Sequence, residues 1–111
     1  MTFKILIIDD DQAVRDAFEL ALLENGYDIF LADSGDAGLS LFKDVQPDLV
    51  YLDLKMPNKD GVTVLREIRL MNEFVPVFIV TAFQKEFMES LNQATADGLA
   101  FEVAAKPLNA E

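Results

Sequence analysis

The chain has 111 residues, 51% of them apolar, which is enough for one small domain with its own core. It has no cysteine and no histidine, which excludes disulfides, thiolate chemistry, Ser-His-Asp and Cys-His triads and most zinc sites. The formal net charge of −11 argues against nucleic acid or an anionic membrane as a partner of this domain, because both need clustered Lys and Arg.

The first residues run straight into a strand pattern, with no basic segment or cleavage site of a leader peptide. No apolar run is long enough to span a bilayer, and a reducing cytoplasm is the expected setting. Phe3 to Ile8 is nearly all apolar, as a strand covered on both faces should be. It stops at three consecutive aspartates, Asp9, Asp10 and Asp11. Asp11 reads as the cap of a helix in which Val14, Ala17, Phe18, Ala21 and Leu22 recur at helical spacing, and Asn25-Gly26 ends that helix. Tyr27 to Ala32 is a second strand pattern.

Ser34-Gly35-Asp36 opens a second helix, carrying Ala37, Leu41 and Val45. Leu49 to Leu54 is a third strand pattern and contains Asp53 at its end. The loop Lys55 to Gly61 leads to a helix with Val62, Leu65, Ile68 and Met71. Val75 to Val80 is a fourth strand, closed by Thr81, and Phe87, Leu91 and Ala94 mark a fourth helix ending near Asp97-Gly98. Phe101 to Ala105 is a weaker fifth strand, closed by Lys106-Pro107.

Strands alternating with helices predict an α/β fold, a doubly wound five-stranded parallel sheet with helices on both faces. Ligands of such sheets sit beyond the carboxyl ends of the strands, at the switch point in strand order. Those ends carry Asp9 and Asp10, Asp53, Thr81 and Lys106. Like charges brought together repel, by about 4 kcal/mol per pair at about 4 Å and an effective dielectric near 20. A divalent cation between the carboxylates removes that cost. Hard oxygen ligands without histidine or thiolate suit Mg²⁺, or Mn²⁺. A carboxylate can also take a phosphoryl group as a nucleophile, and a lysine can pair with the phosphoryl oxygens. Taken singly, each residue has a plainer role: helix-start acid, loop-start residue, strand-end threonine, solvated lysine. Their joint placement at successive strand ends points to a Mg²⁺-assisted phosphoaspartate site.

The stretches "ILIIDDD" at 5–11, "PDLVYLDLKMPNKDG" at 47–61, "VFIVTAF" at 77–83 and "AKP" at 105–107 resemble the receiver domain of two-component response regulators. The resemblance covers nearly the whole chain, as a single domain over 1–111. It implies a flavodoxin-like fold with strand order 2-1-3-4-5. It also implies Asp53 as phosphoacceptor, and a Mg²⁺ site made of Asp10, Asp53 and the Lys55 backbone carbonyl, with Asp9 acting partly through water. Thr81 and the Ala82 backbone would bind the phosphoryl group, and Lys106 would neutralise it. The donor would be a histidine kinase or a histidine phosphotransfer protein, and an output partner the sequence does not name would read the result. Pro57 and Gly61 would shape the loop after Asp53. Such a domain is a switch and not a conventional enzyme, promoting only its own phosphorylation and dephosphorylation. Lys55 and Phe83, each two residues past a site residue, can block water from the phosphorus, so self-dephosphorylation is expected on the order of hours.

Three features depart from the family pattern. The aromatic residue usual three positions before the Lys is Val103 here, and Phe101, two further back, is the candidate aromatic switch if a bulge brings it into place. Thr81 to Lys106 is roughly three residues longer than the pattern, close to one helical turn, which we expect within 92–102. The chain stops at Glu111, where a fifth helix would begin with Asn109 as its cap. With that final helix missing or truncated, one sheet face and part of the first helix would be uncovered. A homodimer, swapped or not, is the expected cover.

Other readings are an atypical receiver acting as a phosphorylation-independent interaction module, a phosphatase or phosphotransferase turning over on Asp53, and a flavin-binding relative. Lys55 replaces the second acid of the Asp-x-Asp pattern common in the phosphatases, and no substrate-binding cap is present. The first loop lacks the hydroxyl- and glycine-rich run a flavin phosphate needs.

Overall fold

The computed structural model describes residues 2–82 and 85–105. Among them strands and helices alternate as β1 (Lys4–Ile8), α1 (Gln12–Leu23), β2 (Asp28–Ala32), α2 (Gly35–Val45), β3 (Leu49–Leu52), α3 (Gly61–Met71), β4 (Val77–Thr81), α4 (Met88–Ala96) and β5 (Glu102–Ala105). The strands form one parallel sheet in the order β2-β1-β3-β4-β5, the order the resemblance implied. The chain steps from β1 outward to β2, then back past β1 to β3. The switch point therefore lies between β1 and β3, whose carboxyl ends lead into Asp9 and Asp53.

Local chemistry sets the element ends. Asp11 caps α1, its Oδ1 accepting from the Ala13 N–H at 2.9 Å. Ser34 caps α2 through Ala37, and Asp60 caps α3 through Thr63. Phe87 stands at the start of α4 without a side-chain cap. Gly26, at φ 76°, takes the left-handed turn just past α1. β3 ends two residues before the predicted Leu54, because Leu54 turns its N–H to the Asp53 side chain and its carbonyl to Gly61. β4 begins two residues later than predicted. Pro76 has no N–H to give a ladder, and the Val75 N–H is taken by the Asn72 side chain at 3.0 Å.

Alternation along the strands separates two faces. Leu6, Ile8, Val50, Leu52, Val77 and Ile79 pack with Leu39 and Phe42 of α2, Leu65 and Ile68 of α3, and Leu91 and Ala94 of α4. This is the main core. On the opposite face Phe18 of α1 stacks on Tyr51 of β3 with ring centroids 4.8 Å apart, and Tyr51 lies 5.7 Å from Phe78 of β4. Among the described residues that face is the thinner one. No residue of α1 is buried, and Leu20 and Leu23 stand exposed. The expected fifth helix, its cap Asn109 and the dimer that would cover this face concern residues outside those described.

Arg69 ties the far end of the core together. Its Nε and Nη2 donate to the Ala100 carbonyl and its Nη1 to the Asn72 carbonyl, at 3.1, 2.7 and 3.2 Å. Burial pushes its pKa down from the usual value. No helix among the described residues is long and apolar enough to cross a membrane.

Candidate functional site

The sheet ladder delivers the acids. The Asp9 N–H donates to the Ala32 carbonyl at 3.0 Å and the Asp53 N–H to the Ile8 carbonyl at 2.9 Å, so both backbones continue the strands they follow. The Asp9 carbonyl accepts from Arg15 Nη1 at 2.7 Å, a tie from α1 back onto the end of β1. Asp9 Oδ1 accepts from the Asp11 N–H at 2.9 Å, and Asp53 Oδ1 from the Leu54 N–H at 3.0 Å. Asp9 and Asp53 are 3% and 5% exposed, whereas Asp10 is exposed. One carboxylate oxygen from each of the three lies within 4.8 Å of the others. Asp11, one residue further on, is the helix cap that the sequence suggested.

This set fits a magnesium ion. Ligand distances of about 2.1 Å put neighbouring octahedral oxygens about 3 Å apart and opposite ones about 4.2 Å. A small closure, or one ligand acting through water, brings three oxygens within 4.8 Å into that range. All the side-chain donors are hard oxygens, which suits Mg²⁺ over softer metals.

The other predicted residues divide by position. Thr81 is fully buried at the end of β4, paired with Ala105 in the ladder, and Ala82 follows it, exposed. Lys106 and Phe83 lie outside the described residues. Val103 pairs with Ile79 in a register that runs unbroken from Glu102 to Ala105. Phe101 precedes that register on the same face as Val103, and both pack against the main core.

The loop from Lys55 to Asp60 is held by Gly61, which the sequence reading singled out, and by Lys59 and Asn58, which it did not. Lys59 Nζ bridges Asp36 of α2 and Glu67 of α3, each at 2.9 Å. The hydrogen bonds to Glu67 and then Asp36 raise its pKa above the usual lysine value. Asn58 takes a left-handed conformation at φ 71°, a role its residue type allows. Gly61 donates its N–H to the Leu54 carbonyl at 2.8 Å, and a side-chain carbon on Gly61 would overlap the Asp53 carbonyl oxygen. At the rim, Lys55 Nζ lies 3.5 Å from Glu86 Oε2 in the turn before α4. Lower down, Arg66 of α3 meets Asp97 at 2.8 Å, and the hydrogen bonds from Arg66 and then Gln93 hold the Asp97 carboxyl below the usual range.

Asp60 could have been found from the sequence as a capping acid ahead of an apolar run. Glu86 and the Lys59 bridge join residues from separate elements and leave no local signal.

Residues 5–111 match the family model described as the response regulator receiver domain. The response regulator MprA of Mycobacterium sp. (strain KMS) is 40% identical over 82 residues, which cover 74% of this chain and 36% of that protein. The chain thus spans about a third of the length of these curated relatives. A receiver domain protein (CheY-like) from Methanospirillum hungatei JF-1 superposes with a TM-score of 0.88 at 25% identity, covering 98% of this chain and 85% of that one. A CheX–CheY–BeF3–Mg complex from Borrelia burgdorferi superposes at 0.81 and 24% identity, over 96% of this chain and 80% of that one.

Proposed function

The chain belongs to the response regulator receiver family, and on that footing we propose that it is a phosphorylation-operated switch whose acceptor is Asp53. One observation carries this: Asp9, Asp10 and Asp53, from the ends of two neighbouring strands, bring carboxylate oxygens within 4.8 Å of one another, with Thr81 at the end of the next strand.

A carboxylate oxygen of Asp53 attacks the phosphorus of a phosphohistidine on a partner kinase or phosphotransfer protein. The P–N bond breaks, the imidazole nitrogen leaves, and an acyl phosphate remains on Asp53. Asp9, Asp10, Asp53 and the Lys55 carbonyl would hold Mg²⁺, with Mn²⁺ as a substitute. When bound, the ion offsets the clustered negative charge of acceptor and phosphoryl group. The Thr81 hydroxyl and the Ala82 N–H hydrogen-bond the phosphoryl oxygens, and Lys106 pairs with them as a point charge. Lys55 and Phe83 slow the attack of water on the product. The altered surface then engages an output partner in the cytoplasm. The magnesium and beryllium fluoride named with the Borrelia protein support the reading by likeness of fold.

The test is intact-mass spectrometry after incubation with Mg²⁺ and a small-molecule phosphodonor. Wild type should gain one phosphoryl mass, dependent on Mg²⁺, and Asp53→Asn should gain none. No adduct on wild type, together with no Mg²⁺ effect on melting, would favour a phosphorylation-independent interaction module.

A further inference from the structure

One contact crosses the rim of the acid pocket. Lys55 Nζ and Glu86 Oε2 lie 3.5 Å apart, and their side chains are 52% and 53% exposed. Lys55 stands two residues past Asp53 in the β3–α3 loop, and Glu86 stands in the turn that leads into α4. The pair therefore joins two loops that reach the site from different strands.

We propose that Glu86 is a positioning residue for Lys55: it draws the ammonium toward the α4 side of the rim, in competition with a phosphoryl group on Asp53, and so shortens the life of the phosphorylated state. This rests on Asp53 as the acceptor. A lysine ammonium is a compact charge on a four-carbon stem with three donors, so it can serve either a carboxylate or a phosphoryl oxygen. Before phosphorylation Glu86 offers it one full negative charge. Afterwards the phosphoryl group offers a charge of about −1.5 to −2, and the ammonium divides its time between the two.

The divided time matters for hydrolysis. Water adds to phosphorus, the P–O bond to Asp53 breaks, Asp53 leaves as a carboxylate, and orthophosphate departs while the water's proton passes to solvent. A Lys55 chain laid over the phosphoryl group obstructs that approach. One held by Glu86 obstructs it less. Exposed ion pairs of this kind are weak, so the effect is a modulation of about two- to five-fold and not an on–off gate.

The experiment follows the decay of the Asp53 adduct by intact mass in wild type, Glu86→Gln, Glu86→Asp, Lys55→Gln and the Lys55→Gln/Glu86→Gln double variant. Glu86→Gln should slow decay by about two- to five-fold, while Glu86→Asp, which keeps the charge, should stay closer to wild type. In the Lys55→Gln background, Glu86→Gln should change nothing. Equal decay in wild type and Glu86→Gln would overturn the proposal, as would a Glu86 effect that survives loss of Lys55. An adduct that forms in all five proteins keeps the acceptor reading intact whichever way the decay rates fall. No adduct on wild type would overturn both.

Discussion

Gly61 and Asp53 meet backbone to backbone. Any side-chain carbon at Gly61 would run into the carbonyl of Asp53 and sit 2.8 Å from the Leu54 Cα. What it would strike is main chain, which cannot swing aside as a flexible side chain can. Overpacking of this kind costs about 1–3 kcal/mol, and here the upper end is expected. Gly61→Ala should lower the urea midpoint accordingly and slow phosphoryl uptake at Asp53. A variant with wild-type stability and uptake would show that the loop yields easily.

Asp10 is the exposed member of the acid cluster, so removing its charge leaves no buried group unpaired. Without Mg²⁺, Asp10→Asn should be as stable as wild type or up to about 1 kcal/mol more stable, because a repulsion has gone. With Mg²⁺ at about 100 times its Kd, wild type should gain about 2.7 kcal/mol. Most of that gain should vanish in the variant. Thermal melts with and without the ion decide it.

Asp97 and Lys59 give opposite pH signatures. The Asp97 pKa is depressed in the fold, from a usual 3.8, by Arg66 first and Gln93 second. Its contribution is present above that value and fades as pH falls through the lower folded one. The stability gap between wild type and Asp97→Asn should be open near neutral pH and shut once the pH has fallen through the depressed folded value. The Lys59 pKa is raised from 10.5 by Glu67 and Asp36. The gap between wild type and Lys59→Met should hold below that value and close as pH climbs through the raised one. Denaturant titrations across both windows test the two signs.

Arg69 satisfies the carbonyls of Ala100 and Asn72 from a buried position. Arg69→Met keeps much of the stem and deletes the donors. A loss of about 2–3 kcal/mol is expected, the scale of hydrogen bonds to a charged group. Phosphoryl uptake should survive wherever the variant remains folded, because these contacts sit on the C-terminal side of α3, at Asn72 and Ala100, away from the acids.

Lys55→Asn and Phe83→Ala should each speed loss of the phosphoryl group from its expected hours-long scale. Unchanged decay in both variants would remove these two residues from control of the lifetime.

Much of this was legible in the sequence because parallel strands buried on both faces write themselves as apolar runs. "KILII" and "LVYL" read as such runs, with Asp9 and Asp10 standing just past the first and Asp53 just past the second. Asp11 and Ser34 announced their helices as caps. The tertiary ties were not legible. Lys59 reads as one more loop charge until α2 and α3 bring Asp36 and Glu67 to it. Glu86 reads as one acid among 20 until the β4–α4 turn sets it beside Lys55. The aromatic near β5 was ambiguous for a related reason, since spacing alone cannot say whether a strand carries a bulge. The observed register of Val103 on Ile79 is regular.

The main-chain bonds from Asp9 to Ala32 and from Asp53 to Ile8 give the acid cluster an origin in strand registration. In the proposed switch, chemistry and timing thereby fall to different parts of the molecule. The backbones of Asp9 and Asp53 can shift only if the sheet slips, which would turn buried side chains outward. Lys55 and Glu86, proposed to set the clock, sit in loops and can be exchanged one at a time without disturbing the sheet. One scaffold can then serve as a brief relay or a long-lived memory, with the interval open to change and the reaction kept constant.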